Sequence, residues 1–455
     1  MQAMLREAAS DFKGRNSQGI SGGLTFVRRS FEPAPNLDAG QLVCIIQRLL
    51  VRFNPSLGRL CCGTAFIATS IAMRAVQDKR LSLRNLILLS LLHLMGAYRH
   101  SGESPVEERE FSAQELRRNN LYSYFYLKEL SPVAADAKAL LLAEQDYDAS
   151  AAVAVPQMEY ASLIFASQKL MRMIEATGGS YSDADFEAYR LAQYSWRHLE
   201  AFRAIDRDGA ISRQILDGSF MDVLFRWCRS LRFDAPGTDK LRALMIHLMD
   251  YKSSFTVQHT VHTAGYAVAL GKQAGCSDIE LNELFTAGLC HDLGKISIPN
   301  SILESTERLL PWEYRVMKMH VSETERILDG IVPKKIFDIA VRHHEKLDGS
   351  GYPYGLTERD LTVQQRILAV ADIMSALADS RSYKGSYSKG HVIKICKEMT
   401  DSRQIDSRIS VYISAFYEQL QHECAVYSAL CSIPLGRVEM QFQEALGDEL
   451  SEQIA

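Results

Sequence analysis

From Asp38 onward, apolar residues recur at spacings of three and four, the repeat of an amphipathic helix. The pattern predicts helices over Leu42–Phe53, Thr64–Val76, Leu81–Met95, Pro132–Leu142, Tyr160–Ala176 and Ala184–Ile205. It predicts three more over Phe220–Leu231, Leu241–Tyr251 and Val257–Ala274. Alternating runs of β-branched residues are scarce, so the expected fold class is all-α. Breaks are expected at Asp206–Gly209, at Asp234–Thr238, and at 346–355, where glycines permit positive φ and Pro353 stiffens the loop. Residues 1–38 carry Gly, Ser and Pro without periodicity and are expected to form a flexible leader.

The length of 455 residues allows two or three domains. A boundary near residue 210 gives a leader (1–38), a helical domain (39–210) and a C-terminal domain (211–455). A weak internal repeat crosses that boundary. Leu91-Leu92-His93-Leu94-Met95-Gly96-Ala97 aligns with Leu289-Cys290-His291-Asp292-Leu293-Gly294-Lys295, and Leu163–Met171 aligns with Leu368–Ala376. Gly179-Ser180-Tyr181-Ser182 likewise matches Gly385-Ser386-Tyr387-Ser388. Two halves of similar order are what a duplication leaves. In the first half Leu94 stands for Asp292, Ala97 for Lys295 and Ser167 for Asp372. That half is therefore expected to be a degenerate copy unable to hold a metal pair; the alternative is an unrelated helical bundle.

Composition narrows the partners. With 47% apolar and 23% charged residues the chain reads as globular. A net charge of −4 offers no basic footprint for duplex nucleic acid, so a nucleotide-like ligand must be met by local cations. The 9 cysteines include no C-x-x-C pair and sit mostly in apolar context, as reduced thiols do. The most apolar run, Leu86–Met95, falls far short of the roughly 20 residues of a bilayer span. A cytoplasmic protein without membrane insertion is the expectation.

The chemistry concentrates in the C-terminal half. His259, His291, Asp292, His320, His343, His344 and Asp372 are all metal-type side chains. Imidazole with carboxylate is the ligand set of iron, manganese, nickel or zinc, and this many suffice for two ions. Paired cations are a recurring means of splitting phosphate esters. Asp292 has two oxygens and can bridge two ions. Asp372 lies within an apolar helix, where a carboxylate is costly unless paired or metal-bound. His262, one turn past His259, is read as a supporting or substrate-side residue. His247, His391 and His422 lack carboxylate company and are read as structural or surface residues.

These residues carry a resemblance. His291-Asp292-Leu293-Gly294-Lys295-Ile296 is followed by Ile298-Pro299-Asn300, Ile302-Leu303, Met317-Lys318-Met319-His320 and His343-His344-Glu345. Next come Asp348-Gly349-Ser350-Gly351-Tyr352-Pro353, Gly355-Leu356, Arg366–Asp372 and Ser380-Arg381-Ser382-Tyr383-Lys384. In this order the motifs resemble the HD-GYP domain, a branch of the HD phosphohydrolase superfamily that hydrolyses cyclic dinucleotides. The resemblance spans about Asp250 to Leu420. It implies an HD-type helical bundle preceded by the degenerate HD-like domain.

It also implies the site's parts. His259, His291 and Asp292, with His320, His343 and His344, would hold two divalent ions, Asp292 bridging them and Asp372 completing the first. Iron is the expected metal, with manganese or nickel as alternatives. Asp292 and Lys295 would be catalytic, Lys295 facing the scissile phosphate. Gly349, Gly351, Tyr352 and Pro353 would shape the pocket, and Arg381 and Lys384 would clamp the second phosphate. The implied activity is hydrolysis of a 3′–5′ bond in cyclic di-GMP or 3′,3′-cyclic GMP-AMP to the linear 5′-phospho-dinucleotide, and onward to mononucleotides. A homodimer is a further implied state. The rivals are a non-catalytic cyclic dinucleotide sensor and another nucleotide phosphohydrolase of the HD superfamily. Some relatives carry a glutamate where this chain has Phe255, which implies two metals here and not three. Ser375 replaces a common aspartate, and His262 a common arginine.

Overall fold

Polar side chains placed just ahead of apolar runs decide where many of these helices begin. Asp38, Ser112 and Ser277 each accept from the third backbone N–H of the following helix, and Gln41, Glu115 and Glu280 reach back to complete capping boxes. The computed structural model describes residues 37–76, 81–100, 112–142, 156–190, 196–378, 387–431 and 435–454. Most of the leader expected over 1–38 lies outside them.

In chain order the helices are α1 (Ala39–Phe53), α2 (Pro55–Ala75), α3 (Leu83–Leu92), α4 (Met95–His100), α5 (Ala113–Leu130), α6 (Pro156–Thr177) and α7 (Asp183–Arg190). They continue with α8 (Trp196–Ile205), α9 (Ala210–Asp217), α10 (Phe220–Ser230), α11 (Ala235–His247), α12 (Ser254–Gln273), α13 (Asp278–Cys290) and α14 (Asn300–Leu303). The last are α15 (Pro311–Leu328), α16 (Lys334–Val341), α17 (Val363–Ala378), α18 (Lys389–Asp401), α19 (Ser407–Cys431) and α20 (Leu435–Ile454). Short 3₁₀ turns occupy Ala137–Leu142, Leu248–Tyr251 and Leu293–Ser297. Among the described residues there is no strand, only an isolated bridge between Asp348 and Thr357. The fold is all-α.

Two departures from the sequence expectation have physical causes. Asp234–Thr238, expected as a break, opens α11. Asp234 caps it and Pro236 sits in its first turn, where a missing N–H costs nothing. Helix α5 had no predicted counterpart, because its mixed Arg, Asn and Tyr content blurs the apolar stripe. Helices α4, α9, α13–α16 and α18–α20 likewise fall outside the predicted ranges, and Pro132–Leu142, predicted as a helix, forms turns and the 3₁₀ turn Ala137–Leu142.

Internal contacts divide the chain into two compact units interleaved in sequence. The larger takes Leu37–Val257, Leu293–Ile331 and Ser432–Ala455. Its centre is α2, packed on α1, α3 and α6, and Ile67, Ala68, Ile71, Leu88, Leu163 and Ile164 of these helices are all buried. By length and composition alone α2 could cross a membrane, a stretch the run-based reading passed over; 83% of its most apolar window is buried within the fold. Helix α1 also holds the end of α15. Arg48 donates to the carbonyls of Arg326, Ile327 and Asp329 at 3.0, 2.9 and 2.7 Å, and Gln41 donates to Ile331 O at 2.7 Å. The carbonyls of Arg326 and Ile327 lie in the last turn of α15, where the helix supplies no donor of its own, and those of Asp329 and Ile331 follow it.

The smaller unit takes Gln258–Asp292 and Val332–Cys431. Here α13 packs on α16 and α17, and α18 on α19. Arg366 of α17 donates to Asp406 at 2.9 Å, tying α17 to the start of α19, and Lys272 pairs with Glu423 at 2.8 Å. Helices α12 and α13 approach most closely at Gly288, where a Cβ would stand 2.6 Å from the Ala264 Cα.

That approach generates a prediction. Gly288→Ala is expected to lower stability by about 1–3 kcal/mol through overpacking, despite alanine's higher helix propensity. Gly390→Ala, with open space around it, is expected to be neutral or stabilising. Chemical denaturation measures both, and a Gly288→Ala protein as stable as wild type refutes the account.

Candidate metal centre

In the smaller unit four segments deliver side chains to one place. His259 comes from the second turn of α12, and His291 caps the C-terminus of α13 with Asp292 directly after it. His343 and His344 follow the end of α16, and Asp372 comes from the middle of α17. The His259 Nε2 lies 2.9 Å from Asp372 Oδ1 and 3.3 Å from Asp292 Oδ2. The His291 Nε2 lies 3.1 Å from Asp292 Oδ2 and 3.7 Å from Asp372 Oδ1. His343 Nε2 stands 3.9 Å from Asp292 Oδ1, and His344 Nδ1 stands 3.7 Å from Asp372 Oδ2. The His343 ring bridges its neighbours, 4.8 Å from that of His291 and 4.1 Å from that of His344.

Backbone contacts aim these rings. His291 Nδ1 donates to Gly288 O and His343 Nδ1 to Ala340 O, each at 2.7 Å and each three residues back. With the proton held on Nδ1, the Nε2 lone pair is left for a cation, the arrangement common to ligating histidines.

The electrostatics follow from two carboxylates sharing a buried space. Burial would depress the His291 imidazole, but Asp292 and Asp372 beside it push it up to about 10. Burial would raise Asp372, and His259, His291 and His344 hold it well below the usual carboxylate range. His343, buried and flanked by His344 and His291, is held well below the ordinary imidazole value. The acids thus call for positive charge where the Nε2 atoms converge. Ligand atoms of His259, His291 and Asp292 all lie within 4.8 Å of one another. Neutral imidazole nitrogens and carboxylate oxygens at that spacing fit a divalent metal ion.

The remaining sequence-derived residues fall as follows. His320 lies on α15 in the larger unit, buried, with Nδ1 donating to Met317 O at 2.7 Å. Lys295, also in the larger unit, is half-buried on the 3₁₀ turn Leu293–Ser297. Gly294 in that turn donates its N–H to Thr324 Oγ1 at 2.9 Å, and a Cβ there would overlap His320 O. Tyr352 packs its ring 4.7 Å from that of His344. Gly349 adopts φ 78°, and Gly351 lies where a Cβ would come 2.5 Å from Glu345 Cα. Pro353 follows Tyr352 through a cis peptide. Arg381 and Lys384 lie outside the described residues.

Two residues given no metal-site role in the sequence reading take part. Glu345, buried directly after the histidine pair, accepts from Tyr354 N at 2.7 Å and Leu356 N at 2.8 Å, holding the glycine-rich loop to the ligand segment. Its adjacency to His344 was the available signal. Ser375, read from the sequence as a departure that alters guanine contacts and not as support for a ligand, meets His259 Nδ1 at 3.0 Å. A helical offset of three from Asp372 was the signal there.

Residues 243–409 match the family described as an HD domain. A 3′3′-cGAMP-specific phosphodiesterase of Vibrio cholerae is 34% identical over 167 residues, 36% of this chain and 39% of that protein. A cyclic di-GMP phosphodiesterase of Thermotoga maritima is 36% identical over 140 residues, 30% of this chain and 38% of the other. The chain thus spans less than two fifths of the length of either relative. The crystal structure of a cyclic GMP-AMP specific phosphodiesterase from V. cholerae covers 84% of this chain and 98% of its own, with a TM-score of 0.53 at 16% identity, a likeness of fold. The match to the HD domain is confined to residues 243–409, the stretch that holds all seven metal-type side chains.

Proposed function

We propose that this chain is a metal-dependent phosphodiesterase that opens a 3′–5′ linkage of a cyclic dinucleotide, giving the linear 5′-phospho-dinucleotide and then mononucleotides. The observation that carries the reading is the convergence of His259 and His291 Nε2 on the Asp292 and Asp372 carboxylates within 2.9–3.7 Å. Relatives that match part of this chain are named for cyclic di-GMP and for 3′3′-cGAMP, so both are candidate substrates.

In this reading His259, His291, Asp292 and Asp372 hold one divalent ion, and His320, His343 and His344 hold a second, with Asp292 shared. Iron is the proposed metal, and manganese or nickel the alternatives. When bound, the ions supply positive charge that activates water and neutralises the scissile phosphate. Lys295 offsets the charge that develops on that phosphate. The Gly349–Pro353 loop, fastened by Glu345, orients the substrate, and Tyr352 stiffens the loop against His344. Arg381 and Lys384 clamp the second phosphate.

The N-terminal half is proposed to be a degenerate HD-like copy serving regulation, substrate enclosure or dimerisation, within a division at about residue 210. His93 caps α3 and donates from Nδ1 to Ser90 O at 2.7 Å, the pose of His291 at the end of α13. Gly96 donates to Ser123 Oγ at 2.9 Å and abuts Asn119 O, as Gly294 does with Thr324 and His320. Leu94 and Ser167, however, supply no carboxylate.

Elemental analysis is expected to find two equivalents of iron, manganese or nickel per chain, lost with activity on chelation and regained on reconstitution. An inert protein under every reconstitution defeats the proposal and favours a sensor. Lys295→Ala is expected to keep its metal and lose about 10²–10³-fold in kcat, while Asp292→Ala loses metal as well. Steady-state kinetics alongside metal content separate the two; retention of full metal by Asp292→Ala contradicts the ligand assignment.

A further inference from the structure

We infer that Ser375 is a positioning residue that fixes the ring of His259 for metal binding, an inference that rests on the metal-centre reading above. Ser375 is fully buried on α17, one turn beyond Asp372. Its Oγ lies 3.0 Å from His259 Nδ1 and donates to the backbone oxygen of His259 at 3.2 Å. A hydroxyl carries one proton. With that proton committed to the carbonyl, the oxygen presents a lone pair to Nδ1, and the imidazole proton resides there. Nε2 is left with its lone pair at the point 2.9 Å from Asp372 Oδ1 and 3.3 Å from Asp292 Oδ2.

The device differs from that of the other rings. His291 and His343 are each aimed by a carbonyl three residues earlier in their own segment. His259 is aimed by a side chain from another helix, and that helix also carries Asp372. One face of α17 thereby supplies a ligand and the support of a second ligand. Two bonds from one hydroxyl, one to the ring and one to the backbone of the same residue, fix both the tautomer and the ring's rotation. Outer partners of ligating histidines commonly contribute 10- to 100-fold in metal affinity.

The test compares full-length wild type, Ser375→Ala and Ser375→Thr after metal removal. Manganese(II) alone is titrated by calorimetry, and thermal melting of the metal-free proteins checks the fold. Ser375→Ala is expected to bind manganese at one site about 10- to 100-fold more weakly, with kcat recovering as manganese is raised and KM little changed. Ser375→Thr, which keeps a hydroxyl, is expected within a few-fold of wild type. Wild-type affinity in a folded Ser375→Ala protein overturns the inference. Equal weakening in both variants assigns the effect to packing and overturns it too. A wild type that takes up no manganese and no other divalent ion refutes the metal centre itself, and this inference with it.

Discussion

Two buried carboxylates in one small space are the constraint around which the smaller unit is organised. Asp292 and Asp372 both lie within 3.3 Å of a single imidazole nitrogen. Taking an ion out of water costs several kcal/mol even after relaxation, and two like charges side by side add to that cost. Without a metal the compensation falls on protons, which is why His291 is pushed up to about 10, while His343, buried and flanked by His344 and His291, is held low. A divalent cation supplies the same charge from one centre. The unit's stability and its metal affinity are therefore linked, because whatever binds the folded form alone stabilises it.

Convergence of this kind requires helices closer than ordinary side chains allow. Gly288 lets α12 and α13 touch backbone to backbone, one turn before His291 and just past His259 and His262. Gly351 performs the same task in the loop, letting its backbone lie on the His344–Lys346 segment while Tyr352 N donates to His344 O at 3.2 Å. Glu345 then uses both carboxylate oxygens on loop amides, so the segment that presents the paired histidines also carries the loop. Ring orientation, loop shape and helix packing share a small set of residues, and a change at one is felt at the others.

The helices and the chemistry were legible in the sequence to different depths. Periodicity found most helices as far as Ala274, because packing one face needs a stripe. It missed α5, whose apolar residues are diluted by Arg117, Arg118, Asn119 and Asn120, although Ser112 and Glu115 spelled out its capping box. The sequence pointed to His259, His291, Asp292, His343, His344 and Asp372 by residue type, and in the structure these share one unit. What it could not convey was which nitrogen of each ring faces inward. That depends on carbonyls three residues back for His291 and His343, and on Ser375 from a distant helix for His259. Local support follows from helix geometry; support from 116 residues away does not.

If the N-terminal half is the degenerate copy proposed above, it separates the structural parts of such a site from the chemical ones. Gly96, Ser123 and Asn119 reproduce the arrangement of Gly294, Thr324 and His320, with the same 2.9 Å bond from glycine N–H to hydroxyl. That arrangement joins a turn to a helix and contributes packing whether or not a metal is present. His93 keeps the pose of a ligand, yet burial pushes its imidazole down to about 4, so it is neutral and needs no counter-charge. Leu94 and Ser167 place no buried anion at the positions that the proposed repeat pairs with Asp292 and Asp372. Under the proposed duplication, this half lacks the groups whose burial only a cation repays and keeps those that hold helices together.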